Sequence, residues 1–207
     1  MPIYNAPLAD MKFILNDVFQ ASKFWQQYPK LAHLDAATAE AILEEMAKFS
    51  QNVTLGLNRS GDEQGAQFNA GTVTTPDGFK EAFQQYAQGG WIGLAADEEW
   101  GGQGMPKMLT VLSDEMLFAT NPSFTLYSLL SVGAGLALAN CASQAQKETY
   151  LPKIYSGEWA GTMCLTEPHA GTDLGIIKTK AEKNADGSYR ISGTKIFITG
   201  GEHDLTE

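Results

Sequence analysis

The sequence predicts an α+β protein in which a helical first part is followed by the start of an antiparallel β domain. Apolar residues recur at helical spacing over most of the first 158 residues. From Trp159 onward the pattern changes to short alternating segments separated by turn residues. Helices followed by strands are typical of an α+β fold or of two domains. We therefore predict a helical domain over residues 1–158 and a β domain over residues 159–207.

Several signals predict where the first helices begin and end. Leu8 opens an apolar stripe at helical spacing that reaches Val18. Asp35 is placed to cap a second helix, because its carboxylate can accept from a backbone N–H of the first turn. The polar, glycine-rich stretch between Asn58 and Thr74 predicts a loop.

Later helices have their own start signals. Thr75 and Pro76 form a cap and first-turn pair, and Pro106 precedes another helical stripe. Asn121–Pro122 predicts the start of a long apolar helix. Residues 143–146, SQAQ, fit a capping box that opens a short helix, which we expect Pro152 to end.

The last part of the chain predicts a small antiparallel sheet. WAGTMCLT (residues 159–166) and KIFIT (195–199) each predict a strand, and IIKTKAEK and SYRIS predict two more around an Asp186–Gly187 turn. Three or four strands with open edges are marginally stable alone. We therefore expect the chain to be the front part of something larger or to be completed by a partner.

Composition argues against several classes of function. The net charge is −10 and there are only two arginines, which disfavours nucleic acid and an anionic membrane as partners. The start lacks a signal peptide's basic and apolar regions, and no run approaches the ~18 apolar residues of a membrane span. The cytoplasm is the simplest location. Cys141 and Cys164 have no metal or redox spacing, and the three histidines are far apart, so we predict no metal site.

Four threonines lie near the ends of predicted strands: Thr162, Thr166, Thr172 and Thr199. Hydroxyls and glycine N–H groups at such ends can bind a polar heterocycle or a phosphate. The same residues are also ordinary turn formers, and the pattern alone leaves both interpretations open. The GGQG stretch (residues 101–104) lacks the spacing of a nucleotide-phosphate loop.

Long motifs give the sequence a family resemblance. MCLTEPHAGTDLG, followed by KTKAEKNADGSYRISGTKIFITGG, resembles the acyl-CoA dehydrogenase family. GWIGLAADEEWGGQGMP and QKETYLPKIYSGEWAGTMCLTEP resemble the helical-domain loop of that family and its connection into the sheet. MPIYNAPLADMKFILNDVF and ITGGEHDLTE resemble its long-chain branch. The resemblance covers essentially all 207 residues.

The resemblance implies a fold, a cofactor and a reaction. Family members have a helical domain, a β domain and a C-terminal helical domain, and FAD lies against the β domain. By motif, six residues are expected to contact the flavin: Met163, Leu165, Thr166, Phe197, Ile198 and Thr199. Phe197 stands where many members have tryptophan, and it keeps an aromatic face without the indole N–H. Gly171 and Thr172 match positions near the acyl-CoA.

The resemblance also implies that part of the enzyme is absent from this chain. The family removes the α-proton of an acyl-CoA with a carboxylate of the C-terminal domain, which has no match here. Glu167 belongs to a flavin-loop motif and is not used as that base. We therefore expect no catalytic residue in this chain. The whole protein is expected to be a homo-oligomer that oxidises an acyl-CoA to a trans-2-enoyl-CoA and passes electrons to an electron-transfer flavoprotein.

Three alternatives remain at this point. The first is a related flavin oxidase or monooxygenase on the same fold. The second is a non-catalytic short interaction module, and the third is the structural remnant of a broken gene. The missing base in the downstream reading frame would favour the dehydrogenase, and a natural stop codon after Glu207 with stable expression would favour the module.

Overall fold

A computed structural model describes residues 3–207 of the chain. These residues form two compact units, of which the first contains residues 3–161 and 202–207 and the second contains residues 162–201. The first unit is helical, and the second contains a small antiparallel hairpin. The predicted α+β class, with a helical first part followed by antiparallel strands, is confirmed.

The helices of the first unit are short at its start and long at its centre. Their bounds are α1 Leu8–Phe13, α2 Ala21–Trp25, α3 Ala36–Phe49, α4 Leu55–Gln64, α5 Phe79–Gln88, α6 Lys107–Thr120, α7 Pro122–Cys141 and α8 Gln144–Ser156. Single π-helical turns continue α1 through Ile14–Val18 and join α3 to α4 through Ser50–Thr54. A small hairpin of β1 (Gln67–Asn69) and β2 (Thr72–Thr74) follows α4.

Three of the predicted caps are present. The Asp35 carboxylate accepts from the Thr38 N–H at 2.8 Å. The Asn121 side chain accepts from the Phe124 N–H at 3.0 Å. Ser143 and Gln146 form the reciprocal capping box at the start of α8. Each cap pairs a backbone N–H that the first helical turn would otherwise leave unpaired.

The predicted loop between Asn58 and Thr74 is wrong in its first half. α4 continues to Gln64, and the remainder is the β1–β2 hairpin. The glycines suggested a break, but Gly61 is required by packing, because a Cβ there would lie 2.7 Å from Cε2 of Phe79. An exposed Arg59–Glu63 ion pair also spans one turn of this helix.

Two further boundaries differ from the prediction. Thr75 does not cap α5, because its N–H and Oγ1 both donate to the Asp204 carboxylate, at 3.0 and 2.7 Å, and the helix begins only after Gly78. Pro152 does not end α8, which continues to Ser156 and stops at Gly157 in a left-handed conformation. At Thr75, the bond to Asp204, which lies 129 residues further along the chain, replaces the predicted cap.

An aromatic cluster occupies the core of the helical unit. Phe124 of α7 is fully buried and meets the rings of Phe49, Phe79 and Tyr86, with centroids 5.9–6.2 Å apart. Edge-to-face geometry favours the pairs with Phe79 and Tyr86. Because α3, α5 and α7 all contribute a ring, this cluster ties three helices together.

α7 is an exception to the expectation that no segment is long and apolar enough to span a membrane. Its 20 residues are long and apolar enough to cross a bilayer by length and composition. Five of its residues are buried within the helical unit: Phe124, Thr125, Ser128, Ser131 and Gly135. A core helix passes the same test, so the absence of a membrane span stays a prediction.

The glycine-rich connection before α6 folds back on itself. The N–H groups of Gln103, Gly104 and Met105 donate to carbonyls of residues 93–96 at 2.8–2.9 Å. A Cβ at Gly102 would overlap the Ala96 carbonyl, which explains the need for glycine there. These three N–H groups are therefore used within the connection itself.

The second unit contains one regular pair of strands. β3 (Lys180–Lys183) and β4 (Tyr189–Ser192) are antiparallel, with Lys180 opposite Ser192 and Lys183 opposite Tyr189. The turn contains Gly187 at φ 90°, as the Asp186–Gly187 signal predicts. Residues 159–166 and 195–199 are not regular strands, because a single backbone hydrogen bond, from Ile196 to Thr166, joins them and no ladder forms.

Candidate functional site

Two segments of the second unit lie side by side. Thr162 Oγ1 donates to the carbonyl of Thr199 at 2.5 Å. The Ile196 N–H donates to the carbonyl of Thr166 at 2.9 Å. These bonds bring segment 162–166 beside segment 195–199. The six residues that the motifs place near a flavin therefore fall on two adjacent stretches of chain.

Both segments leave apolar side chains open to solvent. Met163 is 62% exposed and Phe197 is 87% exposed, and Leu165 is also exposed. Phe197 has φ 56°, a left-handed conformation that is unfavourable for a bulky residue. Such strain concentrates at functional positions. The exposed apolar side chains and the strained aromatic together make this surface suited to a flat apolar ligand.

Glu167 is the buried group of the site. Its side chain is 2% exposed, although the first segment ends just before it. Oε2 accepts from the Lys178 N–H at 2.8 Å, and Oε1 accepts from the Thr179 N–H at 2.9 Å. Lys195 Nζ donates to Oε1 at 2.9 Å. A buried carboxylate is stable when donors pair its oxygens in this way.

The pKa of Glu167 lies well below its ordinary value. The Thr179 side chain contributes most, followed by the Lys178 N–H, and the Lys195 ammonium acts in the same direction against the effect of burial. The Thr179 hydroxyl forms no hydrogen bond in the structure, so the bond that this residue donates to Glu167 comes from its N–H. Glu167 is therefore ionised at neutral pH and does not accept a proton there.

Lys195 connects the carboxylate to the first segment. Its Nζ donates both to Glu167 and to the carbonyl of Leu165, each at 2.9 Å. Lys195 itself begins the second segment. The sequence motifs singled out the neighbours of Lys195 and Glu167 but assigned neither a role, because nothing in the sequence shows that residues 28 positions apart meet.

The other predicted residues lie around the same turn. Gly171 and Thr172 are exposed, and the tight turn before them is closed by reciprocal backbone bonds between Glu167 and Ala170. His169 Nε2 lies 3.2 Å from the Ile176 carbonyl and 3.4 Å from Glu167 Oε2. Both neighbours are acceptors, so a hydrogen bond at this position requires the tautomer that has its proton on Nε2.

Comparison with known families agrees with the fold and with the motifs. The family model described as acyl-CoA dehydrogenase, N-terminal domain, matches residues 36–158, and the family model of the middle domain matches residues 162–206. The chain belongs to the acyl-CoA dehydrogenase family. The resemblance inferred from the motifs is thereby confirmed.

Among acyl-CoA dehydrogenases, the chain resembles 3-methylmercaptopropionyl-CoA dehydrogenase of Ruegeria pomeroyi, with 41% identity over 207 residues. That match covers 99% of this chain and 34% of the relative. A butyryl-CoA dehydrogenase of Syntrophomonas wolfei is 35% identical over 202 residues, which cover 92% of this chain and 33% of the relative. The chain thus spans about a third of the length of these curated relatives.

Solved acyl-CoA dehydrogenases share its fold. An enzyme of Bacillus anthracis solved in complex with FAD has a TM-score of 0.67 and 26% identity, over 82% of this chain and 27% of that one. Butyryl-CoA dehydrogenase of Megasphaera elsdenii has a TM-score of 0.64 and 25% identity, over 79% and 41%. The matched region therefore covers less than half of the length of either solved enzyme.

Proposed function

We propose that this chain is the flavin-binding front part of an FAD-dependent acyl-CoA dehydrogenase. The whole protein oxidises an acyl-CoA to a trans-2-enoyl-CoA and passes the electrons to an electron-transfer flavoprotein. The observation that carries the proposal is the pairing of segments 162–166 and 195–199 through Thr162 and Ile196. Family membership supports the class of reaction.

The residues on the two segments fit a flavin ring in their chemistry. Met163, Leu165, Phe197 and Ile198 supply apolar surface, and Thr166 and Thr199 supply hydroxyl donors. Thr199 uses its carbonyl for the bond to Thr162, which leaves the hydroxyl free of that bond. When bound, FAD would supply the acceptor for the hydride that leaves the acyl β-carbon. Gly171 and Thr172 of the exposed turn contact the acyl-CoA.

No residue of this chain acts as the base in our proposal. The carboxylate within the site, Glu167, is engaged by three donors and has a lowered pKa, so it holds position and does not remove a proton. A base contributes about 10²–10⁴-fold to such a reaction. We therefore propose that the base lies in a part of the whole protein outside these residues.

The remaining features of the proposal concern organisation. We infer a domain boundary near residues 158–159, where the sequence period changes and where the two family matches separate. We propose that the whole protein is a homo-oligomer in the cytoplasm, without a membrane span. The net charge of −10 supports the lack of a nucleic-acid partner.

The 207-residue chain itself tests the assignment of the base. It is assayed with several acyl-CoAs and an artificial electron acceptor in the presence of added FAD, and we expect no turnover. Turnover would place a base within these residues and contradict the proposal.

Thr199 tests the flavin contact in the protein encoded by the complete reading frame. Thr199→Val removes a donor that acts on developing charge, so we expect acyl-CoA-dependent flavin bleaching to slow about 10-fold or more. Thr194→Val changes an exposed threonine just before the second segment and serves as the matched control. Equal bleaching rates in the two variants would show that the Thr199 hydroxyl does not act on the flavin. Failure of the whole protein to oxidise any acyl-CoA, together with oxygen-dependent oxidation of another substrate such as a nitroalkane, would favour a flavin oxidase.

A further inference from the structure

The second unit is held together with almost no apolar core. Between residues 162 and 201 only Glu167 and Ala170 are buried, and every residue of β3 and β4 is exposed. Something other than apolar packing must therefore hold segments 162–166 and 195–199 beside each other. Three hydrogen bonds join the two segments directly. Thr162 Oγ1 donates to the Thr199 carbonyl, the Ile196 N–H donates to the Thr166 carbonyl, and Lys195 Nζ donates to the Leu165 carbonyl.

The buried carboxylate lies where three stretches of chain meet. Glu167 follows the first segment, and its oxygens accept from residues 178 and 179 ahead of β3 and from Lys195 at the start of the second segment. Its backbone is fixed separately by bonds to Ala170 at 2.9 and 3.0 Å. Glu167 is thus an anchored acceptor on which the other two stretches converge.

We propose that Glu167 and Lys195 are a positioning pair that holds the two proposed flavin-contacting segments at their working separation. Lys195 reaches both the Leu165 carbonyl and the Glu167 carboxylate, so it fixes the start of the second segment to the end of the first. The consequence for the flavin rests on the proposed function, whereas the positioning itself does not.

The burial of Glu167 determines what the loss of the pair should do. Glu167 is 2% exposed and Lys195 is 20% exposed, so their Coulombic attraction is stronger than at an open surface, and removing Lys195 leaves the buried carboxylate without its counter-charge. In Lys195→Met, Glu167 keeps its two backbone donors but loses its link to the second segment. In Glu167→Gln, one side-chain oxygen is replaced by an NH₂ group that faces donors. Both changes should loosen the contact between the segments.

A purely local role would give a different result. If Glu167 only fixed residues 178 and 179, its loss would free those two N–H groups and leave the contact between segments 162–166 and 195–199 unchanged. The Ile196 N–H distinguishes the two roles, because it bonds to the Thr166 carbonyl and to neither altered side chain. Its hydrogen exchange therefore reports the pairing of the segments.

The experiment measures amide hydrogen exchange by NMR in the 207-residue chain without flavin. We expect Glu167→Gln and Lys195→Met each to speed exchange at Ile196 by about 10-fold or more. The double variant should exceed neither single variant by much, since both break one interaction. Lys195→Arg keeps the charge and should retain most of the protection. Glu158→Gln, which breaks a solvent-exposed pair with Lys153, is the matched control and should leave Ile196 unchanged.

Three outcomes would overturn the proposal. The first is unprotected exchange at Ile196 in the unsubstituted chain. The second is faster exchange at Lys178 and Thr179 with no change at Ile196. The third is a double variant whose effect is the product of the two single effects. Because no flavin is present, these results are independent of the proposed function, which would fail instead if flavin bleaching were insensitive to Thr199→Val.

Discussion

The helical unit and the second unit are stabilised by opposite means. In the helical unit, large apolar side chains such as Phe124 and Leu117 are fully buried. In the second unit, the buried side chain of greatest consequence is a carboxylate, Glu167, and the apolar residues Met163 and Phe197 are exposed. Apolar burial is the dominant stabilising term in most domains. A unit that relies on a charge network leaves its apolar side chains available to a ligand.

The difference also concerns how each unit uses polar groups. In the helical unit, Thr54, Thr120 and Asn121 form a buried network that joins the start of α4 to the junction of α6 and α7. The two hydroxyls lie 2.7 Å apart, and the Asn121 amide donates to the Thr54 carbonyl at 3.2 Å. These neutral groups add specificity to a unit that packing already holds. The charged pair of the second unit has no such core beside it.

The largest effect is expected in the aromatic cluster. Phe124→Ala removes a ring that meets three others, and a buried Phe→Ala change typically costs about 3–5 kcal/mol. Urea unfolding followed by far-UV circular dichroism measures the loss. Leu136→Ala, on the same helix but 64% exposed, is the control and should cost far less. Similar losses of unfolding free energy in both variants would show that the aromatic cluster does not make the main contribution to the stability of the helical unit.

A smaller loss is expected at the buried polar junction. Asn121→Ala leaves the Phe124 N–H without its cap and removes the bond to the Thr54 carbonyl, which should cost about 1–3 kcal/mol. The same unfolding assay measures it. Asn140→Ala changes an exposed asparagine of α7 whose bond is to its own helix, and it should change stability by less than ~0.5 kcal/mol. An Asn121 variant as stable as the Asn140 variant would contradict the role of the junction.

Acid should weaken the second unit through Glu167. Because the folded pKa lies below the ordinary value of 4.5, the stabilisation is present above that value and is lost progressively as the pH falls below it. We expect the protection factor of Ile196, corrected for intrinsic exchange, to fall between pH 6 and pH 3. In Glu167→Gln this dependence should disappear. A pH dependence that persists in that variant would assign it to another group.

The smallest effect is expected at an exposed pair of the helical unit. Lys153 Nζ lies 2.7 Å from Glu158 and 4.2 Å from the centre of the Trp159 ring. Because solvent screens this pair, its coupling in a double-mutant cycle of Lys153→Met and Glu158→Gln should be below ~1 kcal/mol. A coupling above ~2 kcal/mol would show that exposed pairs stabilise this protein as strongly as the buried network does.

Sequence patterns predicted the local features well where a neighbouring residue supplies the partner. The caps at Asp35, Asn121 and Ser143 are all present, because each bonds within its own first turn. Patterns failed where the partner lies far along the chain. Thr75 has the form of a cap but bonds to Asp204.

The site shows the same division. The motifs selected Met163, Thr166, Phe197 and Thr199 as flavin contacts, and these assignments stay predictions, although the segments that contain them lie together. The left-handed conformation of Phe197 could not be read from its neighbours. The roles of Glu167 and Lys195 were also missed, since a motif records which residues are present and not which of them meet.

The sequence by itself determined the α+β class, the helix caps at Asp35, Asn121 and Ser143, and the family to which the chain belongs. These follow from local periodicity, from short-range hydrogen bonds and from ordered motifs. Only the tertiary structure decided that Thr75 bonds to Asp204, that Gly61 lies against Phe79 and that Glu167 is buried beside Lys195. The physical reason is distance along the chain. The Glu167–Lys195 ion pair forms only where folding brings the two side chains together around a buried carboxylate, and no local pattern contains that information.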